Sequence, residues 1–410
     1  MTHDDNDSCP NDRQNFSIKI HRDLSDIAAA EWNALKQDDN PFTRYEFLSA
    51  LEQNSCLENY GWYPCHIILR NRAGKLCAAL PIYIKTNNYG EFVFDWSWEQ
   101  AYTQNSIAYY PKLVCAVPYT PVSGERLLCS DPKYKNLLIN AAIQLTQQQN
   151  FSGVHWLFPN DLDYQHLAQF PLAFRSDCQY HWYNNDYGNF DDFLSVLRSK
   201  KRKMIQRERR LVSEQGITIK LLHGHDITSQ LWQKIHQLYE SIYDYKSGLP
   251  TLSRAFFEAI GKTMPDNLVV VLAMHNHQII ACAINLRDGD ALYGRHWGVK
   301  NHHDSLHFET CYYAGIEYCI SNRLKRFEPG AGGTHKIARG FLPTATCSAH
   351  WLAHTGFMQS AIKICAHEQN AVYDYICDNW SHHPYRDDTV PIPLPQQPLF
   401  SKTPDISLDG

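Results

Sequence analysis

Apolar and polar residues alternate through "YPCHIILR", break at the turn "NRAG" and alternate again in "KLCAALPIYIK", a pattern that predicts a β-hairpin ending near Lys85. The same phrase returns at greater length from Asp266 to Gly298. There "DNLVVVLAM", a turn at "HNHQ", "IIACAINLR", a turn at "DGD" and "ALYGRHWG" predict a three-strand meander. Behind it the period changes to that of a helix. Phe308, Tyr312, Gly315, Ile316, Cys319 and Ile320 fall on one face of "LHFETCYYAGIEYCISNRL", with Asp304 or Ser305 placed to cap it, and the short strand "KRFEPG" follows. The first half has the same order: strand "KLVCAVPYTPV", helix "YKNLLINAAIQLTQQQ" and strand "GVHWLFPN". Helices "SDIAAAEWNALK" and "SQLWQKIHQLYESIYDY" stand upstream of the two copies. The repeated order predicts an α/β fold of two tandem lobes, each a mixed β-sheet flanked by helices.

These patterns divide the chain into a disordered N-terminus at 1–15, a first lobe at 16–189, a basic connecting helix at 190–215, a second lobe at 216–380 and a Pro-rich tail at 381–410. In the connecting segment Leu197, Met204 and Leu211 recur at seven, with Ile205 and Val212 beside them, so one narrow stripe faces a core. The remaining faces carry Arg198, Lys200, Lys201, Arg202, Lys203, Arg207, Arg209 and Arg210. Such a run reads either as a solvated basic face or as a wall for a polyanion: a nucleotide, a coenzyme tail or an RNA end.

A net charge of −5 over 410 residues excludes a protein that coats nucleic acid with its whole surface, and leaves room for a local basic patch. The 13 cysteines form no C-x-x-C pair, so neither a disulfide framework nor a zinc ribbon is encoded, which suits a reducing compartment. The start "MTHDDNDSCPNDRQ" lacks the basic and apolar regions of a secretory signal. The apolar run from Leu268 is far shorter than the ~20 residues of a membrane helix. The expectation is a cytoplasmic protein without a membrane span; the oligomeric state is left open.

Chemistry concentrates in "RFEPGAGGTHKIARGF", residues 326–341. It is not a P-loop, which would need Gly at His335 and Ser or Thr at Ile337, and it is not G-x-G-x-x-G, whose third glycine would also fall on His335. Together with "NPFTRYEFLSALE", "FDWSWEQAY", "YYPKL", "PYTPVSGERLL", "SKKRKMIQRERR", "YGRHWG" and "LHFETCYYAGIEY", the loop resembles the bacterial FemAB-like family of the GNAT acyltransferase superfamily. Members are labelled predicted N-acyltransferases, or peptidoglycan biosynthesis or recognition proteins. The resemblance implies tandem GNAT-like lobes and transfer of an acyl or aminoacyl group to an amine, with acyl-CoA or aminoacyl-tRNA as co-substrate and no tightly bound cofactor. The (Q/R)-x-x-G-x-(G/A) turn of acetyl-CoA-using lobes is intact neither in "GRHWGVKNHHDSLHF" nor in "TPVSGERLLCSDPKYK", so an aminoacyl-tRNA donor stays open.

Amide formation by direct attack needs a proton acceptor for the amine and donors for the developing oxyanion. Glu328, His335 and Glu309 are the candidates for the acceptor. Each has a plainer reading: Glu328 as a strut for Lys336 or Arg339, His335 as a surface residue, and Glu309 as an acid suited to a helix's first turn. Lys336 and Arg339 read as anion clamps, and Gly330, Gly332 and Gly333 as a bend where backbone approaches a ligand, or simply a tight turn. Arg295 and His296 alternate with Tyr293 and Trp297, which sets the two pairs on opposite faces of their strand. In the first lobe Trp96 and Trp98 could line an acyl or sugar pocket with Asp95 fixing an amine or hydroxyl, although such Trp pairs are commonly core. His302, His303 and His307 have no accompanying carboxylate at ligand spacing, so no metal is expected, and no G-x-S-x-G elbow is present. The cleft is expected around 328–340. The alternatives are a non-catalytic protein that recognises a peptide or cell-wall precursor there, and an RNA-binding protein acting through the basic helix 198–210; in the transferase reading the same helix is where tRNA or CoA is expected.

Overall fold

The computed structural model describes residues 16–244 and 248–396. The expected disordered start, 1–15, and the last part of the Pro-rich tail, 397–410, lie outside the described residues. The β-branched run Leu268–His275 pairs antiparallel with Gln278–Arg287, which pairs with Ala291–Val299, and Thr218–His223 adds an outer strand. The helical stretch 306–321 follows, its turn Glu309–Tyr313 wound as a π-helix. Ser305 takes the N-cap position at φ 63° without a side-chain bond, so the expected cap is not made. The chain then returns through the short strand Arg326–Glu328, parallel to Ala291–Val299.

The first lobe has the same core, Lys112–Cys115 parallel to Gly153–Leu157 with the helix Lys135–Gln148 between them in sequence. Its hairpin departs from expectation. Pro81, which has no N–H to give a ladder, cuts "KLCAALPIYIK" in two. Leu76–Leu80 stays with His66–Asn71 in a four-stranded sheet, while Tyr83–Lys85 joins the large sheet beside Lys112–Cys115.

Two long strands weld the lobes together. Ala173–Tyr183 leaves the first half of the chain and pairs with Arg326–Glu328 of the second. Leu342–Leu352, from the end of the second half, pairs with Gly153–Leu157 of the first. The two also pair antiparallel with each other, from Leu342↔His181 to His350↔Ala173, which makes one continuous sheet of 11 strands among the described residues. One apolar cluster likewise spans both halves: Phe42 and Phe47 meet Tyr293 and Phe256 edge to face, with ring centroids 5.3 and 5.4 Å apart.

The basic segment is not one helix. It breaks between Phe190–Ser195 and Ser199–Glu214, where Leu197 turns inward to bridge Tyr385 and Arg198 donates its N–H to the Pro384 carbonyl at 2.8 Å. Ile205 and Val212 are buried, while Met204 and Leu211 are only partly so. Tyr385, in the stretch expected as tail, is fully buried and donates its hydroxyl to the Gly340 carbonyl at 2.6 Å.

Buried Glu125 is a pH-sensitive point in the first lobe. It accepts the N–H groups of Gln37 and Asp38 at 2.8 and 3.3 Å, yet burial, with the neighbouring Asp38 adding to it, pushes its carboxyl up to about 7. Between the ordinary 4.5 and 7 the folded state therefore holds a proton that the unfolded chain has lost. Stability is lost as pH rises through that window, by up to about 3 kcal/mol. The Glu125→Gln variant should flatten the slope, measured as urea midpoints at pH 5 and pH 7. An unchanged slope would remove Glu125 as its source.

Candidate functional site

Ala291–Val299 and Arg326–Glu328 stay paired only as far as Tyr293↔Glu328. Just beyond, Asn285 pairs with Gly294 and Ile284 with His296, so Arg295 is an extra residue, a β-bulge that bends its strand. On the other side the chain leaves at Pro329, which cannot continue a ladder. The ladder between them ends there, with the two backbones still close together. The close approach favours glycine at 294, where an added Cβ would stand 3.1 Å from the Pro329 Cα. The loop that follows turns through Gly330, Gly332 and Gly333 at φ 92°, 69° and 94°.

The bulge also corrects the expected facing of this strand. One extra residue shifts the alternation by one, so Tyr293, Arg295 and His296 share the face toward Phe42 and Phe257, and Trp297 alone turns the other way, onto His307. Arg295 reaches across to donate to the Tyr119 carbonyl of the first lobe. Burial pulls it down to about 10 against the opposing charge of Glu328, and pulls His296 to about 3, so that His296 is a neutral core group packed on Tyr239.

Glu328 is 4% exposed at the end of its strand. Arg326 Nε holds Oε1 at 2.8 Å, whereas Oε2 has no hydrogen-bond partner. His181 Nε2 stands 3.9 Å from it. His181 Nε2 also lies 3.3 Å from Gln179 Oε1, and Gln179 Nε2 donates to the Pro121 carbonyl at 2.8 Å, so the first-lobe loop 118–121 forms a wall of this centre. Burial pulls His181 down to about 4, against Glu328 and with Arg326 and Lys336 adding to it. It is therefore a neutral hydrogen-bonding group at neutral pH. His181 and Gln179 were not found from sequence, yet "AFRSDCQYHWY" carries their signal: polar residues at every second position, Arg175 to Tyr183, on an 11-residue strand.

The cations of the loop do not face outward as anion clamps. Lys336, 3% exposed, folds back to donate Nζ to the Gly330 carbonyl at 2.6 Å, holding the glycine bend from inside, and burial pulls it down to about 8. Arg339 lies over the Phe308 ring at 3.4 Å and forks onto Glu208 at 2.6 and 3.1 Å. Loop and basic helix are thereby joined. Glu309, buried in the π-turn, takes two donors of Arg209 at 3.1 and 3.2 Å and so acts as a strut for the same helix, with burial raising its carboxyl. His335 is exposed at the loop, its Nε2 2.8 Å from Tyr312 Oη, and burial of the ring with Lys336 and Arg339 nearby lowers it. Lys200, Lys201, Arg202, Lys203 and Arg207 form no ion pair among the described residues.

The first-lobe candidates lie elsewhere. Asp95 is buried on Lys112 and on the Tyr109 hydroxyl at 2.5 Å, with Glu91 on the same ammonium at 2.9 Å, so it is closed off from any amine or hydroxyl of a substrate by its own lysine. Trp98 is core against His350, and Trp96 stands exposed against Phe94 with centroids 4.6 Å apart. Where Glu328-Pro329 ends the second lobe's parallel pair, the first lobe has Phe158-Pro159. Only the second lobe keeps a carboxylate at this place. Among the described residues no helix is long and apolar enough to cross a membrane.

Solved structures are similar to this chain to different degrees. FemX matches with a TM-score of 0.50 and 11% identity over 81% of this chain and 98% of that one. L-PGS from Bacillus licheniformis matches at 0.47 and 9% over 80% and 98%, and a tandem GNAT protein from the clavulanic acid biosynthesis pathway at 0.45 and 8% over 83% and 99%. At 11% identity the likeness to FemX concerns the fold alone, two lobes of mixed sheet with flanking helices. A search of curated proteins finds no match. The sequence pattern of the FemAB-like family, described as peptidoglycan biosynthesis/recognition, matches residues 23–387, and the chain belongs to that family.

Proposed function

We propose that this protein is an N-acyltransferase that passes an acyl or aminoacyl group from an activated carrier to an amine beside Glu328. The observation that carries the reading is a buried carboxylate with one oxygen fixed by Arg326 and the other without a partner, placed where two parallel strands part. A carboxylate oxygen with a free lone pair is what a general base requires. In the reaction the amine nitrogen attacks the acyl carbonyl, the N–C bond forms, and the C–O or C–S bond to the carrier breaks. The amine's proton goes to Glu328 Oε2 and from there to the departing oxygen or sulfur, so the carrier leaves as its hydroxyl or thiol. Arg295, and the N–H groups of Gly332 and Gly333, which meet no acceptor among the described residues, are the donors available to the oxyanion.

Carrier recognition follows from the joint between loop and basic helix. The Arg339–Glu208 fork sets the unpaired cations of the helix Ser199–Glu214 on the same rigid unit as the glycine bend, which suits a phosphate-rich carrier such as a charged tRNA or an acyl-CoA. The test is a transfer assay with labelled aminoacyl-tRNA and an acyl-CoA panel against a panel of amines, read as label in an amide product. Stoichiometric binding of an amine-bearing peptide with no donor consumed would replace this reading by that of a recognition protein.

A further inference from the structure

A cavity of about 410 Å³ lies over the shared strands under the helix Thr355–Ser381, lined by Arg175, Thr346 and Ser348 of the strands and by Phe94, Phe158 and Val372. It is separate from the Glu328 centre, since Arg175 and His181 are six residues apart on one strand, roughly 20 Å. The pairing register sets reactive groups on one face of the sheet. Ser348 pairs with Arg175 and His350 with His155, and residues two apart on a strand share a face. The side chains meet accordingly. Ser348 Oγ is 2.8 Å from His350 Nε2, and His350 Nδ1 is 2.7 Å from His155 Nδ1. With the hydroxyl donating to Nε2, His350 carries its own proton on Nδ1 and gives it to His155, which fixes tautomer and ring. A hydroxyl, a base within its reach and a third group orienting the base are the parts of an activated nucleophile, and geometry identifies them, not chain position. The absence of a G-x-S-x-G elbow therefore does not exclude one here. Burial holds both imidazoles well below their ordinary value, so both start neutral, and the Asp95 carboxylate acts in favour of a proton on His350. Arg175 supplies positive charge. Glu368 and the Phe94 carbonyl take one N–H from each of its three nitrogens, which leaves Nη1 and Nη2 one donor apiece on the ladder partner of Ser348.

We infer that Ser348 is the nucleophile of a second active site, which cleaves carboxylic esters whose apolar acyl group packs on Phe94, Phe158 and Val372. Ser348 Oγ attacks the ester carbonyl, its proton passes to His350 Nε2, and the C–O bond to the alcohol breaks as the alcohol takes that proton. Water then gives a proton to the same imidazole and adds to the acyl-serine, releasing the acid and restoring the Ser348 hydroxyl. Arg175 donates to the carbonyl oxygen as it becomes an oxyanion, and His155 is a positioning residue that holds the base. The experiment treats the full chain with a fluorophosphonate and, separately, with p-nitrophenyl butyrate, and needs neither an amine nor an acyl carrier. One phosphonyl adduct per chain, formed with loss of fluoride and mapped to Ser348 by peptide mass, and steady release of p-nitrophenol are expected. Ser348→Ala should lose both, and His350→Gln should slow both by at least about 100-fold. Ala371→Trp, at an exposed helix position on the cavity rim, should block both while leaving the buried groups in place. No adduct on Ser348 in the wild type, or wild-type rates in Ser348→Ala, His350→Gln or Ala371→Trp, would each overturn the assignment.

Discussion

Glu328→Gln is expected to lower turnover by roughly 10²- to 10⁴-fold, the range a positioned general base contributes. The substitution is nearly isosteric. The amide oxygen can keep the Arg326 contact at Oε1, while the amide nitrogen replaces Oε2, the oxygen without a partner, and has no lone pair to receive a proton. KM should move little, because the carboxylate is asked to act on the proton of the attacking amine and not to hold the carrier. Thermal unfolding of the same preparation separates chemistry from stability, since Arg326 is partly exposed and tolerates a weakened partner. The transfer assay checks the result: turnover within about threefold of wild type would return Glu328 to the role of a strut. Changing His181 to Gln should cost less and act through the setting of Glu328, as a shifted pH profile and not a lost one.

The largest effect on stability should follow from Lys112→Met, a loss of about 3–5 kcal/mol. Lys112 is fully buried, and its ammonium is shared by Glu91 at 2.9 Å and by Asp95. Removing it leaves two carboxylates in the interior, where Glu91 Oε1 and Asp95 Oδ1 already lack partners. Burial raises Glu91 to about 7 even with the lysine in place, so without it the carboxyl would hold its proton more strongly still. Replacing all three groups by neutral ones, Lys112→Met with Glu91→Gln and Asp95→Asn, should recover most of the loss, because uncompensated charge and not the lost contact is the cost. Urea unfolding of the single and triple variants decides it. A single variant within 1 kcal/mol of wild type would show that water reaches this cluster.

Much of the fold was legible because it rests on local chemistry. The meander 266–298 and the strand–helix–strand unit behind it follow from apolar period and turn residues within a few positions of each other, and the structure has them where those patterns stand. The glycine bend and the carboxylate ahead of it were legible for the same reason. The roles of strands 173–183 and 342–352 were harder, since the polar positions Gln179, His181 and Thr346, which alternation assigns to solvent, are buried in the structure. His181 went unnoticed with its strand.

By itself, then, the sequence determined two copies of one α/β plan, the glycine loop that ends the second, and Glu328 directly ahead of that loop. The tertiary structure alone decided that each lobe borrows a strand from the other, that a bulge at Arg295 turns three side chains to one face, and that Lys336, Arg339, Glu309 and Asp95 are held by partners within the protein. The reason is range. Glu208 and Arg339 are 131 residues apart and Arg295 and Tyr119 are 176 apart, so which charges meet is set by the packing of the whole chain and not by the spacing of neighbours.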